Sequence, residues 1–387
     1  MSDTTCVIIG GGPAGMVAGL ILARAGVRVT VLEKHADFLR DFRGDTVHPS
    51  TLQLLDELGL IDRFLALPHS EVHGLELHAA DGGLVRVADF SRLRLARPYI
   101  AIAPQWDFLN LLAAAAADEA TFELRMQSEV TGLIVEGGRV RGVRYRAPDG
   151  DHELRAPLTI AADGRDSLAP RRAKLPVREL PVPFDVWWFR VPTAATITDQ
   201  VLPISGGGRQ FIVIPREGYV QIANPIMKGA DASLRALGAE PLCAAIAEAL
   251  PQLAEGAARL TLDDVKLLNV RVSRLTRWFA HGLLCIGDSA HAMSPVGGVG
   301  VNLAVQDGVA AARVLAGPLA AGRVGARELR AIQRRRMLPA AVTQGVQGVL
   351  HRVLLPARCA TAAASGRLAP CGSPSARCPR SAAFWRG

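Results

Sequence analysis

The stretch Cys6 to Glu33 constrains this chain more than any other. It reads CVIIGGGPAGMVAGLILARAGVRVTVLE. The apolar run Val7 to Ile9 predicts a short buried parallel strand. It turns sharply at Gly10, Gly12 and Gly15, whose spacing is G-x-G-x-x-G. A helical pattern follows, with Met16, Leu20, Ala23 and Ala25 as apolar or small positions, and Gly26 ends it. Val27 to Leu32 predicts a second strand that closes on Glu33.

Each residue type here has a chemical reason. Gly10 permits the tight turn, Gly12 lets a pyrophosphate approach the backbone, and Gly15 lets helix and strand pack closely. The helix N-terminus, with Ala14 and Gly15 in its first turn, offers N–H groups and partial positive charge to phosphates. Glu33 stands at a strand end roughly twenty residues on, placed to accept ribose hydroxyls, and Lys34 beside it is counted with the cofactor-binding residues. An acid at that position disfavours a 2′-phosphate, so the dinucleotide is FAD or NAD rather than NADP. The competing reading is a glycine-rich turn in an unrelated α/β protein.

Charge and composition narrow the class. The net charge of +8 belongs to one end of the chain. Glu328 is the last acid; ten arginines and no lysine follow it, and without them 34 basic residues face 36 acidic ones. No groove-reading motif accompanies the basic tail, so nucleic-acid and membrane partners are not expected. No apolar run reaches the ~18 residues of a membrane span. The N-terminus enters the first strand without a basic region or cleavage site, which reads as a cytoplasmic enzyme. Cys6, Cys243 and Cys285 lie in apolar contexts and read as structural thiols, and no cysteine or histidine spacing suggests a metal.

Further along, RDFRGDTVH (40–48) reads as a polar loop, followed by a helix from Pro49 to Leu58 that Gly59 stops. Residues 72–100 alternate as short strands around an Asp81-Gly82-Gly83 turn. Pro104 to Ala120 is helical, and 121–157 is rich in strand. Leu158 to Gly164 is a strand ending in Asp163-Gly164, where α/β sheets place ligand contacts. Residues 176–275 change character and predict a mainly antiparallel sheet with strands 209–216 and 219–226 and a helix 241–250. Its apolar face would cover a pocket, with Trp187, Phe211 and Pro215 as candidate wall residues; adjacent Trp187 and Trp188 are equally suited to a core. His281 to Asp288 is another strand ending in Gly287-Asp288. A loop follows, then a helix 303–319 and helices 325–337 and 340–355. Residues 357–387 carry Arg, Cys, Pro, Ala and Ser without acids or apolar periodicity. They read as disordered, either a natural linker-like tail or the product of a frameshift.

Three separated pieces, Gly10–Gly15 with Glu33, ADGRDS (162–167) and GDSAHAMSPVGGVGVNLAVQDG (287–308), together resemble the single-component FAD-dependent aromatic hydroxylases, the family of para-hydroxybenzoate and phenol hydroxylases. The resemblance covers about residues 3–340. It implies an α/β fold: a Rossmann-like FAD-binding domain (1–72, 101–175 and 276–356, the last with C-terminal helices) with an inserted, mainly antiparallel substrate domain (strands 73–100 and the unit 176–275). Asp288 can accept a ribityl or ribose hydroxyl. Gly297, Gly298 and Gly300 let backbone N–H groups approach the flavin pyrimidine edge, where negative charge develops on reduction, and a helix starting near Asn302 adds its positive end. The resemblance places Pro295 by the reactive flavin edge, gives Glu33 the adenosine ribose, assigns Arg43 and Gln105 flavin contacts, and counts Pro295 and Arg43 as catalytic. It gives Asp163 and Gly164 to a motif serving both FAD and NAD(P)H. His48 reads as a helix-entry residue ahead of a flavin or substrate contact. One departure stands out: the family pattern D-G-x-x-S-x-x-R matches at Asp163, Gly164 and Ser167, but Pro170 occupies the arginine position.

The implied activity is hydroxylation of an aromatic or polyketide-like small molecule. NADPH or NADH as co-substrate reduces FAD by hydride transfer to N5, dioxygen adds at C4a, and the hydroperoxide gives its distal oxygen to the ring. The partners are that small molecule and O2, with the protein a monomer or homodimer. Two alternatives stay open: another flavin-fold oxidoreductase, such as an isoprenoid reductase or a halogenase, and an FAD-binding protein without turnover. The W-x-W-x-I-P motif of tryptophan-type halogenases is absent.

Overall fold

A computed structural model describes residues 4–39, 45–78, 84–194, 202–216 and 218–354 of the chain. Arg43, the Asp81-Gly82-Gly83 turn and the tail from 355 lie outside the described residues.

The opening stretch folds as strand Cys6–Ile9, helix Pro13–Arg24 and strand Val29–Leu32. Cys6–Ile9 takes a central place in a six-stranded sheet, in the order Phe279–Ala280, Leu283–Cys285, Leu158–Ala161, Cys6–Ile9, Val29–Leu32, Phe122–Arg125. All neighbours are parallel except the short edge pair Phe279–Ala280 with Leu283–Cys285. Both faces are covered, which is why these strands are continuous apolar runs and do not alternate.

Helix Pro13–Arg24 lies against a long helix, Gly300–Ala320. Small residues set the distance: a Cβ at Gly308 would stand 2.6 Å from the Ala14 carbonyl oxygen, so the two backbones meet only because Gly308 has none. The long helix starts at Gly300, placing Asn302 within its first turn.

The antiparallel unit is a five-stranded sheet ordered Leu202–Gly206, Arg209–Arg216, Tyr219–Met227, Phe184–Pro192, Lys266–Leu268. Helices Asp231–Arg235, Glu240–Ala249 and Ala254–Ala257 accompany it, and residues from all three join Trp187, Phe189, Phe211 and Val213 in one buried cluster.

The predicted pair of C-terminal helices is a single helix, Ala326–Leu354, that runs through Pro339. A proline inside a helix removes one backbone hydrogen bond and crowds the preceding turn. Here the helix is pinned on both sides of it, by Gln333 bonded to Trp278 N–H and by Gln344 bonded to Ser273 and Ala292. Among the described residues no helix is long and apolar enough to cross a membrane.

Candidate functional site

Four parallel strand ends meet along one edge of the six-stranded sheet. In spatial order their continuations carry Gly287-Asp288, Asp163-Gly164, Gly10 to Gly12, and Glu33-Lys34. Backbone bonds extend the register past the strands: Ile286 N–H to Ala161 O (2.9 Å), Ala162 N–H to Ile9 O (2.8 Å) and Gly10 N–H to Leu32 O (2.8 Å). Ser289 ties the outer pair, donating its hydroxyl within 2.6 Å of Ala161 O and 2.8 Å of Ile286 O.

Gly10 has φ +99°, and a Cβ there would lie 2.7 Å from Ala162 O. Both facts demand glycine. Gly12 is the N-cap of helix Pro13–Arg24, and no side chain caps it. A Cβ on Gly12 would meet only Ala162 O, at 3.9 Å, so its face is open. An uncapped helix N-terminus beside an open face suits an anion. Ala14 is buried, its methyl against the Gly287 backbone, and Gly15 sits under the Gly10 carbonyl.

Glu33 is buried and shapes the turn itself. Its Oε2 accepts the Gly11 N–H (2.9 Å) and its Oε1 the His35 N–H (3.1 Å). Lys34 is exposed and close enough to Asp163 to favour its charged form. Burial nevertheless pushes the Asp163 carboxyl above the usual range, against the pull of the neighbouring Ser167 hydroxyl and Leu168 backbone. A buried carboxyl beside an uncapped helix end fits the hydroxyls and phosphates of a dinucleotide.

The other half of the site is the loop 295–302. It is fastened to residues 46–51. Thr46 Oγ1 donates to Gly298 O (2.6 Å). Asn302, 3 % exposed, accepts the His48 N–H (2.9 Å) and the Thr51 hydroxyl (2.8 Å), and donates to Thr46 O (3.1 Å) and Gly298 O (3.3 Å). Those four bonds exhaust its side chain. The expectation that Asn302 meets the cofactor is thereby limited to its backbone; its amide group is a rivet between two loops. His48 lies at the same seam. Burial lowers its pKa, against the opposing pull of the Gly298 backbone. Pro295, Gly298 and Gly300 are half-buried, and Gly298 N–H closes a turn on Pro295 O (3.0 Å). Gln105 opens the helix Gln105–Ala117, its backbone amide directed at Asp45.

Asp45 also ties the antiparallel sheet to a small three-stranded sheet of Thr46–Val47, Ile100–Ile102 and Ser70–Val72. Arg216, at the end of its strand in the antiparallel sheet, donates to the Asp45 carboxylate and to Ile102 O (3.2 Å). Burial raises the Asp45 pKa, and the opposing pull of Arg216 does not cancel it.

The three wall candidates fall on the wrong face. Trp187, Phe211 and Pro215 point toward the covering helices; Trp187 and Phe211 are 1 % exposed, and Trp187 Nε1 donates to Asp231 (2.7 Å). Side chains alternate along a strand, so the opposite face carries Trp188, Ile212 and Arg216. Trp188, Ile212 and Val296, the residue after Pro295, all pack against one buried cluster that includes Phe184, Val186 and Ala223. Trp188, not Trp187, therefore shares the loop's side of the sheet.

Near Asp163, Arg171 does not replace the missing arginine. It folds back on its own turn, donating to Ser167 O (3.1 Å) and Asp166 O (2.8 Å). Pro170 and Ser167 line a cavity of about 540 Å³ that also reaches Asp288 and Arg165. Asp288 Oδ2 stands 3.9 Å from Arg165.

Beneath the Gly287 turn lies a buried hub: Asp307 and His291, both inside the 287–308 motif but without a role there, and Arg336 from outside it. Asp307 accepts from Gly287 N–H (3.0 Å), meets His291 Nε2 (2.5 Å) and takes Arg336 Nε (2.6 Å). Burial alone would raise the Asp307 pKa, but His291 and Arg336 hold it below the usual carboxylate range. Among the described residues no group of His, Cys, Asp and Glu could hold a metal ion.

Comparison with known proteins agrees with this geometry. Residues 3–346 match the family model described as FAD binding domain. The chain is 31 % identical over 357 residues to 6-methylpretetramide 4-monooxygenase of Streptomyces rimosus, covering 92 % of this chain and 85 % of that one. It is 25 % identical to the 1H-pyrrole-2-carbonyl-[peptidyl-carrier protein] brominase of Pseudoalteromonas luteoviolacea, over 79 % and 75 % of the two chains. The fold matches p-nitrophenol 4-monooxygenase PnpA from Pseudomonas putida with a TM-score of 0.76 at 21 % identity, covering 94 % of this chain and 93 % of that one.

Proposed function

Since the chain belongs to the FAD binding domain family, we propose that it is an FAD-dependent monooxygenase that uses NADPH or NADH and O2 to hydroxylate an aromatic or polyketide-like small molecule. The observation that carries the reading is the convergence of two half-sites. One is a dinucleotide cradle at Gly10–Gly15, Glu33 and Asp163. The other is the loop Pro295–Gly300, riveted to residues 46–51 and roofed by the apolar side of the antiparallel sheet.

Bound FAD supplies the redox chemistry, taking a hydride from the nicotinamide and activating dioxygen. The chain's own residues bind, orient and exclude water. The N–H groups at the start of helix Pro13–Arg24 hold the pyrophosphate. Glu33 takes the adenosine ribose, and Asp163 and Asp288 take hydroxyls or phosphate-bound partners at the next two strand ends. The start of helix Gly300–Ala320 presents its positive end to the flavin pyrimidine edge. Trp188, Ile212 and Val296 form the apolar wall against which an aromatic ring packs, keeping water from the reacting edge.

The test is direct. The purified protein should be yellow, and a screen of aromatic substrates should find one that stimulates NADPH or NADH oxidation and gains one oxygen by mass. A gain of halogen or of two hydrogens would turn the reading to a halogenase, as in the brominase relative, or to a reductase. A protein that stays colourless after reconstitution with FAD ends it.

A further inference from the structure

The loop that carries Pro295 owes much of its position to a helix far away in sequence. Gln344, Gln347 and His351 lie on one stripe of helix Ala326–Leu354, at spacing i, i+3, i+7, and all three are buried. Every hydrogen bond described for them from this stripe reaches the segment 292–296 or the strand Val272–Leu275 beside it. Gln347 makes three: its Oε1 accepts the Ser294 N–H (3.2 Å), and its Nε2 donates to Ser294 O (2.9 Å) and Val296 O (2.8 Å). Gln344 donates to Ala292 O (3.1 Å) and Ser273 O (2.9 Å) while accepting from Arg274 (2.8 Å). His351 Nε2 meets the Ser294 hydroxyl (2.8 Å), which in turn accepts the Val296 N–H (3.3 Å). The His351 ring also stands edge-on to Phe184 of the antiparallel sheet, with centroids 5.1 Å apart.

We propose that Gln347 is a positioning residue for the monooxygenase site: with Gln344 and His351 it clamps the backbone on both sides of Pro295 and so fixes that ring against the flavin. The step from clamp to catalysis rests on the functional reading above, in which Pro295 borders the flavin. A side-chain amide that binds an N–H and two C=O groups acts as a one-residue strand. It satisfies backbone groups that have lost water by burial, and it sets their position because both donor and acceptor are directional. An apolar residue of the same size would fill the volume and leave three backbone groups unpaired.

The experiment compares FAD-loaded wild type with Gln347→Met and Gln347→Glu. Amide exchange is followed by mass spectrometry in peptides covering 290–300 and, as a control, 27–33. Product formed per NAD(P)H oxidised is measured alongside. In Gln347→Met, exchange in the loop should rise about tenfold or more, the control should not change, FAD content should be retained, and coupling should fall several-fold with the KM for NAD(P)H unchanged. Gln347→Glu keeps the acceptor for Ser294 N–H but turns an oxygen on two carbonyls, so it should loosen the loop as much as Met does. Unchanged loop exchange and coupling in a folded Gln347→Met protein overturns the proposal, and so does a rise spread evenly over the whole chain. If neither variant folds, Ser294→Ala, which removes only the His351 contact and one local bond, is read by the same two measurements and the same outcomes. A wild-type protein that oxidises no substrate would sink the functional reading, while loop exchange would still decide the clamp.

Discussion

Trp187 and Trp188 are neighbours in the chain and stand on opposite faces of one strand. Trp187 is sealed under helices with its indole N–H on Asp231 and the guanidinium groups of Arg209 and Arg235 near its ring. Trp188 lies on the other face, packed against the same buried cluster as Val296 of the loop after Pro295. The pair therefore divides stability from substrate handling. Trp187→Ala should cost about 3–5 kcal/mol of unfolding free energy, the range for emptying a large aromatic site in a core. Trp188→Ala should leave the melting temperature within a few degrees of wild type and raise the KM for the aromatic substrate about tenfold. Thermal melts and steady-state kinetics on the two variants separate these effects, and an exchange of their phenotypes would reverse the assignment of faces.

That pair also marks how far sequence reading carries. Strands 209–216 and 219–226 and the glycine fingerprint were legible, because period two, buried runs and turn glycines are local signals; the strand Phe184–Pro192 that carries the pair was not assigned. Which side of a two-sided apolar sheet meets the cavity is not local; it depends on where helices 231–257 dock. Asp45 and Arg216 were invisible for the same reason, being 171 residues apart in sequence. Asp307 and Arg336 are likewise brought together only by the packing of two helices. Asn302 was singled out as a cofactor contact, and its four bonds to protein could not be foreseen from a motif.

The two glycines at the fingerprint should fail differently. Gly10→Ala puts a methyl 2.7 Å from Ala162 O at φ +99°, so the variant should lose about 1–3 kcal/mol of stability. Gly12→Ala meets nothing closer than 3.9 Å within the protein. It should fold with a near-normal melting temperature and yet bind FAD at least about tenfold more weakly, because its methyl occupies the pyrophosphate's approach. Calorimetry on the apoprotein and titration of FAD fluorescence check both.

Asp307→Asn removes the charge that Arg336 and His291 share. Leaving a buried guanidinium without its carboxylate costs about 3–5 kcal/mol, and the one oxygen that Asn keeps cannot serve both the Gly287 N–H and Arg336, which in the wild type use separate oxygens. Urea denaturation should show that loss, and FAD retention should fall with it because Asp288 sits on the same turn. A variant as stable as wild type would mean that the hub is dispensable.

Stability should decline on the acid side of neutrality. Burial lowers the pKa of both His48 and His351 below the ordinary 6.5. As pH falls through that unfolded value, the unfolded chain takes up protons that the folded one refuses. The slope of unfolding free energy against pH is therefore positive from about 6.5 down to the folded values. The stabilising contribution is fully present above 6.5 and is lost below it. Replacing both histidines with Gln should flatten the curve between about pH 7 and 5, read by denaturant melts at several pH values; an unchanged slope would assign the acid sensitivity to other groups.

The clamp on the Pro295 loop has a consequence for how the molecule is made. Strand Cys6–Ile9 waits for Leu158–Ala161 before it has both neighbours. The strand Leu283–Cys285 joins later still, and Gln347 and His351 close the loop only when the last turns of helix Ala326–Leu354 have emerged. Domains tend to fold in the order of synthesis, and pairings this distant are slow to form. A nascent chain thus holds the Gly10–Gly15 turn without all of its neighbours, and the loop 295–300 without its clamp, until helix Ala326–Leu354 has emerged.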